Sequence, residues 1–498
     1  MFYQNENTLL SSENKKIILG LKIKSFRKKL NLTAQELAKE SGLSNSYLNE
    51  IEKGRKYPKK DKLLALADAL KIKEDELTSL KLPKEYASFE LLLKTNILSE
   101  LPLDLLGLDL NNIIDVLSNS PTKISAFLNT IIEIARNHDM ETEYFYFSVL
   151  RSYQELEDNY FKEIEHQANN FRSTHHLSLN IKIESSVLKS LLIEEYNYKF
   201  DILPNDIQNV RSVCKGNTLY LNKDLNEHQL LFVLGREIAF NFMKLKPRPL
   251  VTTFFNGAGF SEIFNNFQAS YFATALLLPE EKMVEDLKVF FSKTKWDAAL
   301  FEKMIDSLGV SAEMYMHRLT NILPTFFNLK SLFFLRLSKP KERDSFNITK
   351  ELHLGRLHNP HAISKELHYC RRWVSVQSIK ELEAKMEKTN DVDTVVIDAQ
   401  ISDYYDSRDK YFIISVARPM YPVSGFSTSV SVGIYIDKIF NQKIAFAQDK
   451  DIKIKKVNEN CEMCAIADCK QRAAEASIYQ RKQRVQNLNH NIQHFLKK

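Results

Sequence analysis

The chain has 498 residues, 44 % of them hydrophobic and 27 % charged, which suits a soluble protein of two to four domains with ample material for buried cores. No apolar run approaches the roughly 18 residues that span a bilayer, "FATALLL" at Phe272–Leu278 being far too short, and the polar start "MFYQNENTLLSSENKK" lacks the apolar region of a signal peptide. These features exclude a membrane-spanning chain and predict a cytoplasmic one. The net charge of +6 is unevenly placed, because Asn14 to Lys81 holds 17 Lys and Arg against 9 Asp and Glu and so covers the whole surplus. A basic unit on a nearly neutral remainder is the footprint of a polyanion binder.

That basic unit reads as a run of short helices. Leu21, Phe26 and Leu30 mark the inner face of a first helix. Thr33 is a good N-cap, and Glu36 three residues on completes a capping box. Leu37 and Ala38 point inward, Gly42 makes a tight turn, and Ser44 caps a second helix anchored by Leu48 and Ile51. Two short helices joined at a glycine turn predict a helix-turn-helix whose second helix enters the major groove. From Leu21 to about Leu77 the segment resembles the five-helix, phage-repressor class of this domain, the XRE family. The resemblance implies that Asn45, Ser46 and Glu50 face DNA bases, since Asn can read adenine and Glu can accept from cytosine N4. Lys53, Arg55 and Lys56 are then phosphate contacts, and Arg27 with Glu52 forms an internal ion pair. Ala34 stands where that class often has a phosphate-binding Gln. Such domains bind double-stranded operators as homodimers.

From Lys84 to Phe171 the apolar residues recur three and four apart, as in "FYFSVLRSYQELEDNYFKEIEHQANNF", which predicts helices. "SVCKGNTLYLNKDLNEHQL" reads as a hairpin leading into another helix, "LLFVLGREIAFNFMK". A catalytic zinc helix needs two His residues one turn apart and a Glu to activate water. Here Arg236, Glu237 and Phe240 occupy those places; a guanidinium stays protonated and a phenyl ring has no donor atom. The following "FQASYFATALLLPEEKM" resembles the second helix of ImmA/IrrE-type peptidase domains, with Gln268 at or near the position of their third ligand. No metal site and no catalytic residue is expected. The expectation is a zincin-like domain whose two helices now bound a ligand pocket, with Arg236, Glu237, Phe240 and Gln268 lining it.

After Leu323-Pro324 the pattern becomes strand-like in "SLFFLRLS", "TVVIDAQISDYY", "KYFIISVARPMYPV" and "TSVSVGIYIDKIF", which predicts an antiparallel sheet with one buried face. A basic tail, "SIYQRKQRVQNLNHNIQHFLKK", follows and is predicted to be helical. The spacing Cys461-x2-Cys464-x4-Cys469 can wrap three thiolates around one metal centre. Cys370, in the same domain, is the expected fourth ligand; Cys214 reads as an ordinary core residue. Four thiolates suit a [4Fe–4S] cluster or Zn2+, and His358, His361 and His368 keep a mixed Cys/His zinc site open.

The order of these pieces resembles the short-chain fatty acid regulators of the propionate and glyoxylate pathways, the PrpR/RamB type. A helix-turn-helix is followed by a degenerate ImmA/IrrE-like part ending in "GVSAEMYMHRLTNI", a Cys-Arg-Arg-Trp segment, and Cys-x2-Cys-x4-Cys-x-Gln-Arg-Ala. The resemblance implies a transcription factor, not an enzyme, that binds acyl-CoA or CoA and holds an iron–sulfur cluster. The expected organisation is a DNA-binding domain over 14–82, a helical linker or dimerisation region over 83–175, a ligand-binding domain over 176–325, and an α+β sensor domain over 326–498. The fold class is mostly α with a C-terminal α+β part. The alternative is a zinc-binding, phage-type or stress-response repressor acting through protein contacts alone.

Overall fold

The computed structural model describes residues 12–82, 86, 142–179, 181–207, 210–249, 259–355, 367–389, 394–420 and 425–496. They fall into two compact units, one of residues 1–150 with 256–263, the other of 151–255 with 264–498. Most of the segment expected to link them helically, 83–141, lies outside the described residues.

The first unit contains the five expected short helices: α1 (Ser12–Lys29), α2 (Ala34–Glu40), α3 (Asn45–Glu52), α4 (Lys60–Ala69) and α5 (Glu74–Thr78). Thr33 accepts from the Glu36 amide while the Glu36 side chain accepts from the Thr33 amide, the reciprocal cap read from the sequence. Gly42 turns the chain at φ +65°, a conformation costly for any residue with a Cβ. Leu19, Ile23, Leu37, Leu48, Ile51, Leu66 and Leu77 form one core. Leu21 is buried, but Phe26 is half-buried and Leu30 is 37 % exposed, so the inner face of α1 ends earlier than its apolar spacing predicts. Lys22 is also internal: its ammonium donates to the carbonyls of Glu76 at 2.8 Å and Ser79 at 2.6 Å, closing the end of α5 against α1.

In the second unit, α6 (Thr142–Leu156), shared with the first, precedes α7 (Lys162–Thr174) and α8 (Ser185–Tyr196). A small sheet follows, in the order β1 (Lys199–Ile202), β3 (Thr218–Leu221), β2 (Ser212–Lys215). β2 and β3 are the expected hairpin; β1, parallel to β3, is too polar to be visible in the sequence. Five helices come next: α9 (Glu227–Phe242), α10 (Phe260–Leu277), α11 (Glu280–Phe291), α12 (Ala298–Ser307) and α13 (Ala312–Phe327).

The chain then builds a six-stranded sheet from β4 (Leu332–Pro340), β5 (Asn347–Leu354), β6 (Val396–Tyr404), β7 (Lys410–Pro419), β8 (Phe426–Tyr435) and β9 (Lys453–Val457), ordered β5-β4-β8-β7-β6-β9. It is antiparallel except for the β6–β9 pair. The expectation of one buried face is corrected: both faces are covered. On one, Phe334, Phe412, Ile414 and Val432 join a core that also contains residues of α7 to α13. On the other, α14 (Val374–Thr389) packs Trp373, Val376, Ile379 and Leu382 against Phe333, Leu335 and Ile413. The alternation seen in β8, "STSVSVG", is therefore Ser and Val on two buried faces rather than water and core. Small hydroxyls let α14 approach, and Ser375 and Ser431 bond each other at 2.8 Å. The short α15 (Lys438–Lys443) and the long, exposed C-terminal α16 (Ser477–Leu496) complete the description.

A buried ion pair ties the helical layer together. Arg318 on α13 holds Glu165 on α7 with two parallel bonds of 2.6 and 2.9 Å, and donates from Nε to the Leu278 carbonyl at 3.1 Å. Tyr271 on α10 donates to the same carboxylate at 2.6 Å. Removing one partner leaves a charge in apolar surroundings, so Arg318→Leu is expected to cost about 3–5 kcal/mol in urea unfolding. A loss below about 1 kcal/mol, the range of exposed pairs, would show that the pair is not structural.

Candidate functional site

The DNA-reading candidates sit on α3, whose N-cap is Ser44. Asn45 and Ser46 are exposed, as is Asn49, one turn beyond Asn45 on the same face and not singled out by the sequence reading. Glu50 carries an ion pair with Arg55, Nη1 to Oε1 at 3.2 Å, with the two side chains 30 % and 48 % exposed. Such a surface pair contributes at most about 1 kcal/mol, so DNA can separate the two groups cheaply. Lys53 is the C-cap of α3, and Lys56 lies 5.6 Å over the Tyr47 ring. Lys62, also missed by the sequence reading, lies 4.3 Å over the same ring. Arg27 and Glu52 form the internal pair, Nε to Oε1 at 2.6 Å and Nη2 to Oε2 at 2.9 Å, and Arg27 also reaches the Leu32 carbonyl at 2.9 Å. Of the basic surplus, Arg27 and Lys22 are thus spent on the fold, while Arg55, Lys56, Lys59 and Lys60 are exposed.

The face of α9 that would carry zinc in a peptidase is buried and held by its own side chains, although Nε of Arg236 and of Arg248 is left without a hydrogen bond. Glu237 accepts from the Tyr198 hydroxyl at 2.9 Å and from Arg248 Nη2 at 2.6 Å. Arg248 and Asn241 also donate to the Tyr198 oxygen, at 3.1 and 2.9 Å. Two opposing guanidinium positions flank Phe240: Arg236 at 5.7 Å and Arg248 at 4.7 Å from the ring centroid. Arg236 bonds Asn266 on α10; Gln268, expected with it as a pocket residue, is half-buried two residues further along that helix. Burial pulls the Arg236 guanidinium down to about 10 against the opposing pull of Glu237. Cys214 lies under this network, its Sγ 4.0 Å from the Tyr198 oxygen, and burial pushes its thiol up to about 11. Arg248 is the residue that sequence reasoning missed: nothing in "KLKPRPL" marks it as the partner of a buried Glu on another element.

The four cysteines expected to bind metal line one cavity. Cys370, Cys461 and Cys464 are buried and Cys469 half-buried, with Arg371, Arg372 and Arg472 in the same wall. Cys370 and Cys461 are brought together because the Cys461 amide donates to the His368 carbonyl at 2.9 Å and the Cys370 amide to the Glu459 carbonyl at 3.1 Å. Arg472 staples the cysteine loop by donating to the carbonyls of Cys461 at 2.8 Å and Cys464 at 3.2 Å. The Ala473 amide donates to Cys461 Sγ at 3.3 Å. Burial pushes the Cys370 thiol up to about 11, opposed by the backbone amides of Asn458 and Arg372. The donor chemistry fits a thiophilic centre: soft sulfur ligands, an amide bond to sulfur, and cationic walls that offset thiolate charge. As placed, no three His, Cys, Asp or Glu side chains among the described residues stand close enough to hold a metal ion. Of the competing histidines, His368 directs Nδ1 to Glu462 at 2.8 Å, and His358 and His361 lie outside the described residues.

Comparisons with known proteins bear on the N-terminal unit most directly. Residues 23–77 match the family model described as helix-turn-helix. A propionyl-CoA carboxylase regulator of Cereibacter sphaeroides is 23 % identical over 333 residues, covering 65 % of this chain and 69 % of that protein. YazB of Bacillus subtilis, an uncharacterized HTH-type transcriptional regulator, is 42 % identical over 60 residues, which is 12 % of this chain and 87 % of YazB. Among solved structures, a Mycobacterium tuberculosis transcriptional regulator is 17 % identical, covers 66 % of this chain and 93 % of its own, and superposes with a TM-score of 0.46. Among the described residues no helix is long and apolar enough to cross a membrane. The five-helix unit, the family-model match and the likeness in sequence to the Cereibacter and Bacillus regulators together identify a transcriptional regulator with a helix-turn-helix domain.

Proposed function

We propose that this chain binds a double-stranded operator as a homodimer and adjusts that binding to a short-chain acyl-CoA or CoA, with a [4Fe–4S] cluster on Cys370, Cys461, Cys464 and Cys469 bracing its C-terminal part. The observation that carries the DNA half is the exposed face of α3 beside the basic loop Lys53–Lys56, inside the segment that matches the helix-turn-helix model. Asn45, Ser46 and Glu50 read bases there; Lys53, Arg55 and Lys56 hold phosphates. The metabolite half is supported by the Cereibacter relative, a propionyl-CoA carboxylase regulator. The cluster is supported by Cys370 lining one cavity together with the closely spaced Cys461, Cys464 and Cys469, which lie far from it in sequence. A cluster bound there would draw the thiolates together and stabilise the fold that presents them; Zn2+ is the other occupant this donor set suits.

A second reading has one observation in its favour. Glu237, Arg248 and Tyr198 satisfy one another, so the old zinc face is closed by side chains of its own. A repressor of the ImmA/IrrE-associated class, working through protein contacts with no small ligand, needs nothing more from that face.

Selection from random duplexes tests the DNA half. Glu50→Ala is expected to relax preference at one base pair by about 1–3 kcal/mol, whereas Lys56→Ala should weaken all sequences alike and lower the salt slope by about one. An unchanged preference in Glu50→Ala would move the reading face elsewhere. Anaerobically purified protein is expected to contain iron and sulfide and to absorb near the visible–ultraviolet edge, and Cys464→Ser to lose both and unfold more readily; zinc in their place selects the alternative, and wild-type metal content in the variant refutes the ligand set. Propionyl-CoA should shift the operator-binding midpoint of the wild-type protein. No shift with any acyl-CoA favours the ligand-free reading.

A further inference from the structure

One end of the large sheet departs from the pattern of its core face. Along β4, β8 and β7 the residues on that face are Phe334, Val432 and Ile414, then Arg336, Val430 and Val416, then Ser338, Thr428 and Arg418. Arg336 and Arg418 are therefore diagonal neighbours across β8, on a face that is otherwise apolar, and Thr428 and Ser338 between them remain buried. Lys350 on β5 stands directly beside Arg336. Arg211, which leads into β2, joins the same neighbourhood. Against these cations stands one carboxylate, Glu313 in the first turn of α13, which pairs with Lys350 and lies 3.6 Å from Arg336 Nε.

The charges do not balance. Among the described residues, neither the Arg211 nor the Arg418 side chain has a hydrogen-bond or ion-pair partner. Arg336 Nε is buried without a hydrogen bond, as is Nε of Arg236, the guanidinium on α9 that Arg211 repels. Burial depresses the basicity of Arg211 and Arg418, and each is also repelled by Arg336 and attracted by Glu313 alone. Burial would raise the Glu313 carboxyl, yet Lys350 and then Arg336 hold it well below the usual carboxylate range. Forked guanidinium donors left unmatched in a half-buried recess are costly unless an anion completes them.

We infer that Arg211, Arg336 and Arg418 form a binding site for a phosphate-type oxyanion, either free or as part of a phosphate ester. A tetrahedral dianion accepts forked N–H pairs from several directions at once, and its charge offsets what Glu313 leaves over. Thr428 supplies a hydroxyl in the row of Arg418. The site lies within the second unit and does not depend on the acyl-CoA reading: the oxyanion is held whatever the rest of the ligand is. Inorganic pyrophosphate tests that chemistry without any acyl or nucleoside part.

The experiment titrates inorganic pyrophosphate into the full-length protein at constant ionic strength, by calorimetry, with thermal unfolding in parallel. Wild-type protein should bind and gain stability. Arg418→Gln and Arg211→Gln should each bind about tenfold or more weakly, the loss of a charge-assisted contact. In the absence of anion those variants should unfold at the same temperature as wild type or higher, because a repulsive charge is gone. Arg418→Lys, which keeps the charge and loses the fork, should fall between. Glu313→Gln should bind pyrophosphate more tightly while being less stable without it, a pair of changes that a purely structural carboxylate would not give. A competing titration with CoA separates the sources: displacement of pyrophosphate means a phosphate ester shares the site, and no displacement means a free oxyanion. The inference is overturned if pyrophosphate fails to bind, or if it affects wild type, Arg211→Gln and Arg418→Gln equally.

Discussion

The second unit is organised around the buried pairing of Arg318 with Glu165. One guanidinium satisfies a carboxylate on α7, a carbonyl at the end of α10 and, through that carboxylate, the hydroxyl of Tyr271. A fork–fork pair has one good geometry, so three helices meet in one arrangement. Asn159 extends the network: it accepts from Gln154 at 3.0 Å, donates to Thr320 at 2.9 Å, and receives the Asn321 amide at 2.8 Å. With α7 and α10 so placed on one side of α13, the helix also packs on β4 and β8. The single apolar core containing Phe161, Phe272, Leu319, Phe412 and Ile452 follows from that placement.

Three sets of buried or half-buried arginines in this unit differ in how completely they are answered. Arg318 is fully paired and structural. Arg248 shares Glu237 with Tyr198, and Arg236 leans on two phenyl rings and Asn266, so this face of α9 is held by mutual contact. At the end of the large sheet, Arg211, Arg336 and Arg418 have only Glu313 among them. Burying a guanidinium costs several kcal/mol when nothing compensates it, so the degree of pairing separates groups that serve the fold from groups that await a ligand. The same logic applies at the cysteine cavity, where Arg371, Arg372 and Arg472 line the wall beside four thiols.

In the N-terminal unit the charge is divided in a comparable way. Lys22 and Arg27 are consumed internally, the first against backbone carbonyls and the second against Glu52. Among the others, Arg55, Lys56, Lys59 and Lys60, which follow α3, are exposed and can meet phosphate. Tyr47 serves them as a platform, with Lys56 and Lys62 over its ring, which orders two long side chains that water would otherwise leave mobile.

Local signals were legible in the residues themselves. The Thr33–Glu36 box, the Ser44 cap, the Gly42 turn, the β2–β3 hairpin and four strands of the large sheet each rest on contacts within a few residues, where propensity and periodicity act. The cysteine spacing likewise announced a sulfur-rich centre, and the likeness of Cys370 to the other three was read from its place in the same part of the chain. What the sequence could not disclose depends on partners far away along it. Whether a strand has one buried face or two is decided by the arrival of α14, so Ser429 and Ser431 look solvent-facing in the sequence and are buried in the fold. The same distance explains why Asn266 answers Arg236, why Arg248 closes over Glu237, and why Arg211, Arg336 and Arg418, spread over more than two hundred residues, meet around one carboxylate. A charge in a sequence has no environment; its partner, and therefore its role, is assigned only when packing brings distant elements together.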